Sequence, residues 1–314
     1  MPTGHQSPVV GHRSAILFMR IKHIAIVGVG LIGGSFALAA RRAGIAQRIT
    51  GWDRKEVLGR ARARGVIDGI EDAFESGGVC EADLVYLAAP VGAIVSFLRT
   101  RGNSLKTGAI ITDAGSTKRE ICRVAREALP SQVVFVGGHP MAGSHNAGIE
   151  HADADLFRGA PYALVVDDAS AESKTAGRLV EDLVRSIGAK PLKLQAEEHD
   201  CVVARVSHAP QLLATSLACA IARRRNQADL RLAGSGFSEM ARLAASRWSM
   251  WEDICRTNAD EIALALDEII VEMESARASI GSGDFQAVGT AFAEANELMR
   301  ESRLAENPES PLEN

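Results

Sequence analysis

The sequence predicts a doubly wound α/β domain followed by an all-helical one, and three observations carry the prediction. An apolar run, Ile24-Ala25-Ile26-Val27, ends in the glycine cluster Gly28-Val29-Gly30-Leu31-Ile32-Gly33-Gly34-Ser35, with a helix-like segment after it. Strand-like and helix-like segments alternate from residue 23 to about 195, the pattern of a parallel sheet covered on both faces. After Gln195 the strand signals stop, and apolar residues recur at three- and four-residue spacing. The 314 residues suffice for two domains of ordinary size, and 46% hydrophobic residues permit a sizeable core.

In chain order, residues 1–20 mix Gly, Pro, His and Ser without period and read as a disordered leader. Strand-like runs follow at 23–28, 48–52, 83–89, 109–113, 133–137, 161–167 and 190–194. Helix-like segments lie between them at 32–43, 54–64, 91–100, 117–128 and 171–187. Residues 196–224, 237–247, 250–280 and 284–304 then read as helices, and 305–314 as a polar tail. The expected boundaries are 21–195 for a nucleotide-binding domain and 196–304 for a helical one. Ligands of open α/β sheets bind beyond the carboxyl ends of the strands. The residues just after each strand therefore matter most: 28–35, Asp53, Ala88, Ala89 and Pro90, 113–118 and 138–144.

The first of these segments has the spacing of a dinucleotide fingerprint. Gly28 allows the tight turn out of the strand, Gly30 leaves room for a pyrophosphate, and Gly33 lets the helix pack close to the sheet. The helix start at Leu31 and Ile32 points free N–H groups and a partial positive charge at phosphates. Asp53 lies where an acid accepts hydrogen bonds from the adenosine ribose, which favours NAD over NADP. Arg54 beside it weakens that preference, since a guanidinium there suits a 2′-phosphate. The rival reading, a secretory signal peptide built on Arg20, Lys22 and the apolar run, conflicts with the glycine spacing and with the strand and acid that follow.

Bulk properties exclude several classes. With 35 basic and 39 acidic residues the net charge is −4, which gives no electrostatic case for nucleic acid or an anionic membrane. Arg60–Arg64 and Arg223–Arg225 read as solvated helix faces. The five cysteines are odd in number, widely spaced and without a CxxC, as suits a reducing cytoplasm. No glycine-free apolar segment reaches membrane-spanning length. The later helices carry more apolar surface than one small bundle needs, so a homodimer through them is expected.

Four further stretches carry chemistry. In Asp113-Ala114-Gly115-Ser116-Thr117-Lys118, Ser116 is placed either to cap the next helix or to meet a nicotinamide and a substrate hydroxyl. Lys118 would neutralise an anion or sit in solvent. In Gly137-Gly138-His139-Pro140-Met141-Ala142-Gly143-Ser144, His139 follows a strand directly, and an imidazole can take a proton from an alcohol near neutral pH. His139, His145 and His151 have no acid or cysteine at ligand spacing, so no metal site is expected. Ser207-His208-Ala209-Pro210-Gln211 interrupts a helix at Pro210. Gly234-Ser235-Gly236-Phe237 precedes a helix carrying Arg242, with Trp248 and Trp251 beyond, and Arg suits two-pronged carboxylate binding. Taken singly, His208 also reads as a satisfied core histidine and Arg242 as a surface ion pair.

In this order, GVGLIGGS, Asp53, LAAPV (87–91), DAGSTK, GGHPMAGS, VSHAPQ (206–211) and the 234–251 stretch resemble the prephenate/arogenate dehydrogenases over about residues 21–300. The resemblance implies NAD-dependent oxidative decarboxylation of a cyclohexadienyl acid in tyrosine biosynthesis. His139 would accept the C4 hydroxyl proton, and Ser116 would orient that hydroxyl and the nicotinamide. Arg242 would bind a carboxylate. His208, Gln211, Ser144, His145 and Trp251 would line the pocket. The position after Ser144 is often acidic in the family and is His145 here, which points to prephenate over the amino acid arogenate. Gln211 stands where many relatives have a second histidine. The alternatives are an arogenate dehydrogenase, a β-hydroxyacid dehydrogenase, which the scarcity of Lys in the later helices disfavours, and a non-catalytic nucleotide sensor.

Overall fold

Strands form where short apolar runs can be buried on both faces, and the run His23–Val27 is buried at every position. The computed structural model describes residues 21–70, 78–143, 147–167, 169–224 and 227–306. The expected leader, residues 307–314 of the expected tail, and Ser144 and His145 lie outside the described residues.

Eight strands form one sheet: β1 (His23–Val27), β2 (Arg48–Trp52), β3 (Gly69–Ile70), β4 (Leu84–Leu87), β5 (Ile110–Asp113), β6 (Val134–Pro140), β7 (Pro161–Val166) and β8 (Lys190–Lys193). Their order is β3-β2-β1-β4-β5-β6-β7-β8. The order reverses between β1 and β4, which opens the crevice where such sheets take ligands. Helices α1 (Leu31–Arg42), α2 (Lys55–Ala63), α3 (Val91–Arg101), α4 (Arg119–Ala128) and α5 (Ala171–Ser186) alternate with the strands. One buried cluster joins Ile24, Ile26, Phe36, Leu58 and Leu183. A second joins Val27, Val85, Ile94, Leu98 and Ile121. Side chains alternate between faces along a strand, so β1 contributes Ile24 and Ile26 to one cluster and Ala25 and Val27 to the other.

Strands β1 to β6 pair in parallel, as the alternation predicts. β7 does not: it runs antiparallel to β6, with His139 opposite Ala163 and Pro140 opposite Tyr162. A parallel return needs a crossover, usually a helix. The connection from β6 to β7 holds only a short 3-10 turn, Ile149–His151, among its described residues. It lies over α1 and α2, where Asp153 N–H donates to Ser35 Oγ at 2.9 Å and Arg60 pairs with Glu150 at 2.6 Å. The two edge strands are short, and β8 carries Lys190, Pro191 and Lys193, residues that discourage edge-to-edge pairing.

Beyond the sheet come α6 (Ala196–Val203), a π-helical turn (Ala204–His208), α7 (Ala209–Arg224), α8 (Gln227–Arg231), α9 (Ser235–Ala241), α10 (Trp248–Thr257), α11 (Ala259–Ser282) and α12 (Phe285–Glu306). The expected interruption before Pro210 is that π turn, which absorbs the backbone mismatch that proline imposes. α12 continues to Glu306, two residues into the expected tail. The chain divides into two compact units, one ending at Glu261 and the other beginning at Ile262. The first unit therefore holds the sheet together with α6 to α10. No helix among the described residues is long and apolar enough to cross a membrane.

Candidate active site

The glycine loop opens the site. Gly28 sits at φ +89°, and a Cβ there would lie 2.4 Å from Ala88 O, so only glycine fits where the ends of β1 and β4 touch. Gly33 is equally constrained, 2.0 Å from Gly28 O by the same measure, while a Cβ on Gly30 would meet nothing within 4 Å. α1 starts at Leu31 without a capping side chain and without an acid in its first turn. Its free N–H groups, the open space over Gly30 and the helix dipole fit a pyrophosphate. Asp53 follows β2. Its Oδ2 accepts Val29 N–H at 2.8 Å and its Oδ1 accepts Arg54 N–H at 2.7 Å, so the carboxylate is fixed against the glycine loop. The Arg54 side chain is 84% exposed and only 3.9 Å from that carboxylate. Ala89 and Pro90 lead into α3, whose Gly92 N–H donates to Asp253 Oδ2 on α10 at 2.8 Å.

Two strands over, Asp113 and Lys118 form an ion pair with no exposed side-chain surface. Asp113 also accepts Gly138 N–H at 2.9 Å and Gly115 N–H at 2.8 Å, and Lys118 Nζ donates to Gly138 O at 2.7 Å. Lys118 thus neither faces solvent nor awaits an anion. It clamps the ends of β5 and β6 together. Nor does Ser116 cap α4. Lys118 holds the N-cap position without a side-chain cap bond. The Asp200 carboxylate from α6 takes the N–H groups of Lys118, at 2.6 Å, and Arg119, at 2.9 Å. A carboxylate outcompetes a hydroxyl there because the bonds are charge-assisted and the helix dipole adds to them. Half-buried Ser116 is left with no hydrogen bond to a described residue, on the same sheet edge as His139.

His139, near the end of β6, is buried. Its Nδ1 is 2.8 Å from His199 Nε2, and His199 Nδ1 is 2.8 Å from Asp200 Oδ1. Burial, reinforced by His199, Lys118 and His208, holds the His139 imidazole well below the usual histidine range, so it is neutral at neutral pH. His208, in the π turn, is also buried, and burial pulls its pKa down to about 4, against the opposing pull of Asp200. Its ring meets Trp251 edge-on, with centroids 5.8 Å apart. Its Nδ1 is 3.3 Å from Asn258 Nδ2, which makes Nδ1 the acceptor and places the ring hydrogen on Nε2. That Nε2 is buried and has no partner among the described residues, which is costly unless a ligand supplies an acceptor.

Arg242 lies exposed on the 3-10 turn Arg242–Ala245 and forms no ion pair among the described residues. Gln211, expected to line the pocket, spends both ends of its amide on the protein. Nε2 donates to Leu243 O at 2.7 Å, and Oε1 accepts from Ser246 Oγ at 3.1 Å. Gln211 is a strut for the Arg242 turn. Sequence reasoning missed His199, Asp200, Arg119 and Asn258. Arg119 joins Asp200, Asp260 and Asn258, and Asn258 Nδ2 donates to Asp200 O at 2.8 Å. The available signal was periodicity: Ala196, His199, Asp200 and Val203 share the buried face of α6, so two polar residues hold core positions.

Comparison with known proteins bears on the family. The family described as "Prephenate dehydrogenase, nucleotide-binding domain" matches residues 36–193, and "Prephenate dehydrogenase, dimerization domain" matches 195–294. A prephenate dehydrogenase of Lactococcus lactis is 34% identical over 88% of this chain and 77% of its own length. One of Bacillus subtilis is 37% identical over 83% of this chain and 71% of its own. A crystal structure of prephenate dehydrogenase from Aquifex aeolicus, in complex with hydroxyphenyl propionate and NAD⁺, superposes with a TM-score of 0.76 at 27% identity, covering 91% of this chain and 97% of that one. A parallel-dominant sheet with a nucleotide fingerprint, a helical segment behind it and matches along most of the length lead to one conclusion: the chain belongs to the prephenate dehydrogenase family.

Proposed function

We propose that the chain catalyses the NAD-dependent oxidative decarboxylation of prephenate to 4-hydroxyphenylpyruvate, with His139 as the base. The observation that carries this reading is a buried, neutral imidazole on the sheet edge that also bears the uncapped start of α1. With Nδ1 of His139 engaged by His199, Nε2 is the nitrogen left to take the proton of the ring hydroxyl. NAD⁺, when bound, supplies the hydride acceptor for C4 of the ring. The bond to the ring carboxylate then breaks, its electron pair completes the aromatic ring as CO₂ leaves, and the C4 oxygen takes back a proton to give the phenol. Because aromatisation drives that loss, the protein's tasks are positioning, proton acceptance and charge matching.

Ser116 orients the hydroxyl and the nicotinamide in this reading. Arg242 holds a substrate carboxylate through two parallel bonds. His208 donates its Nε2 hydrogen to a substrate oxygen as a neutral group, and Trp251 packs behind it. Gly28, Gly30, Leu31, Ile32, Gly33, Asp53, Ala89 and Pro90 hold the cofactor, with Arg54 at its rim. Residues 21–195 act as the nucleotide domain and 196–304 as the substrate and dimerisation domain. A homodimer fits Leu264, Ile270, Val271, Met273, Phe285 and Phe292, all exposed on α11 and α12. A cytoplasmic location fits the five free cysteines.

The test is His139→Asn, assayed by NADH formation with prephenate and NAD⁺. A positioned base contributes about 10²–10⁴-fold, and kcat falls by that factor. Turnover within a few-fold of wild type removes the base role. The same assay with arogenate and with NADP⁺ is expected to give lower kcat/KM than prephenate with NAD⁺.

A further inference from the structure

Two residues behind His139 have no part in the reaction as written so far, yet both are fully buried. His199 and Asp200 are neighbours on α6 with no exposed surface. A carboxylate placed there is costly unless its lone pairs are occupied. They are: Oδ1 faces His199 Nδ1 at 2.8 Å and Lys118 N–H at 2.6 Å, and Oδ2 faces Arg119 N–H at 2.9 Å and Nε at 3.3 Å. Burial alone would raise the Asp200 pKa. The bonds from His199 and the two backbone N–H groups outweigh it and hold the group below the usual carboxylate range.

An ionised carboxylate only accepts hydrogen bonds. His199 Nδ1 therefore carries a hydrogen. In a neutral ring Nε2 is then bare and can only accept, so the hydrogen in the 2.8 Å contact belongs to Nδ1 of His139. That leaves His139 Nε2 as a bare lone pair. From Asp200 outward, each link has one donor and one acceptor.

We propose that His199 and Asp200 are positioning residues that lock His139 in its Nδ1–H tautomer, make Nε2 its basic nitrogen, and support the imidazolium that forms when Nε2 takes the substrate proton. This rests on the reading of His139 as base. The surroundings require such support. Lys118, from the segment after β5, and His208, from the π turn, both disfavour a cation on His139. Asp113 is already matched by Lys118. The negative charge that reaches His139 is Asp200, joined to it through His199 and shared with Arg119. No electrons move in this arrangement. The proton gained at Nε2 is balanced by stronger donation from Nδ1 to His199.

The experiment uses the full-length protein. Long-range ¹⁵N–¹H correlation spectra of the histidine rings at neutral pH should give His139 a protonated Nδ1 and a pyridine-type Nε2. A hydrogen on Nε2, as an imidazolium at His199 donating to His139 would produce, overturns the proposal. His199→Leu removes the acceptor, and its kcat should fall about 10²-fold or more, with KM for prephenate and NAD⁺ within about threefold of wild type. In His199→Gln an amide oxygen can accept from Nδ1 while its NH₂ donates to Asp200, so about tenfold of that loss should be recovered. A His199→Leu enzyme with wild-type kcat sinks the relay, and the spectra decide should that variant fail to fold. If His139→Asn also keeps its turnover, the base reading has failed instead. Loss in His139→Asn alone isolates the failure to the relay.

Discussion

The strand-end rim and the helical wall facing it are built on opposite principles. At the rim, function comes from what is missing: no side chain on Gly30, no cap on α1, no acid in its first turn. Backbone geometry does the work, and it is fixed by residues within a few positions of one another. In the wall, function comes from polar groups packed where apolar ones would be cheaper: His199, Asp200, His208, Gln211 and Asn258 are all buried. Their partners lie far along the chain, His139 and His199 being 60 positions apart and Arg119 and Asn258 139 positions apart. The lesson is that a dinucleotide site is specified locally, whereas the environment of a base is specified by tertiary contact. The Asp113–Lys118 pair sits where the two principles meet.

Breaking that junction should have the largest effect on stability. Lys118→Met leaves the Asp113 carboxyl with no exposed surface and no cation beside it, against the backbone of Gly115 and Gly138. Removing one partner of a buried pair costs about 3–5 kcal/mol. Chemical denaturation should register that loss, whereas a variant within about 1 kcal/mol of wild type would mean that water or relaxation reaches the carboxylate. Within the rim the glycines divide sharply. Gly28→Ala places a Cβ against Ala88 O at a φ of +89° and should cost about 2–4 kcal/mol. Gly30→Ala meets nothing and should leave the melting temperature unchanged while raising KM for NAD⁺. Equal thermal losses in the two variants would contradict the view that Gly30 serves the ligand and Gly28 the fold.

This asymmetry explains what was legible in the sequence. The glycine loop, Asp53 and most element positions follow from local spacing. The direction of β7 was also recoverable, because residues 141–160 lack the helical period that a parallel crossover needs. The capping of α4 was not: Ser116 has the right chemistry at the right distance, and only the fold reveals that Asp200, 84 residues later, takes the N–H groups. Gln211 reads as a pocket residue only through the resemblance carried by VSHAPQ (206–211). Its bonds to Leu243 and Ser246 depend on a turn more than 30 residues away. Residues chosen for charge or hydrogen bonding at long range leave only one local trace, a polar side chain at a core position of a helix.

The wall should reveal itself through pH. His208 is neutral in the folded state, with a pKa of about 4 set mainly by burial, and titrates near 6.5 when the chain unfolds. A folded pKa below the unfolded one means that the unfolded chain binds the proton first as the solution is acidified. Stability is therefore full above pH ~6.5 and declines as pH falls toward ~4, by on the order of 1–2 kcal/mol at pH ~5 from this one group. Asp200, which favours a cation here, and His199, which opposes one, face the same ring, and the Asn258 amide donates to it. His139 shifts in the same direction and adds to the slope. Melting curves at pH ~7 and ~5 should show wild type losing more stability than His208→Gln. The variant is less stable at both pH values because the contact with Trp251 is gone, so the informative quantity is the difference between the two slopes. Parallel slopes would mean that His208 takes its proton at the same pH in the fold as in the unfolded chain. Burial would then not keep His208 a neutral donor as the solution is acidified, and the contrast between rim and wall would have to be redrawn.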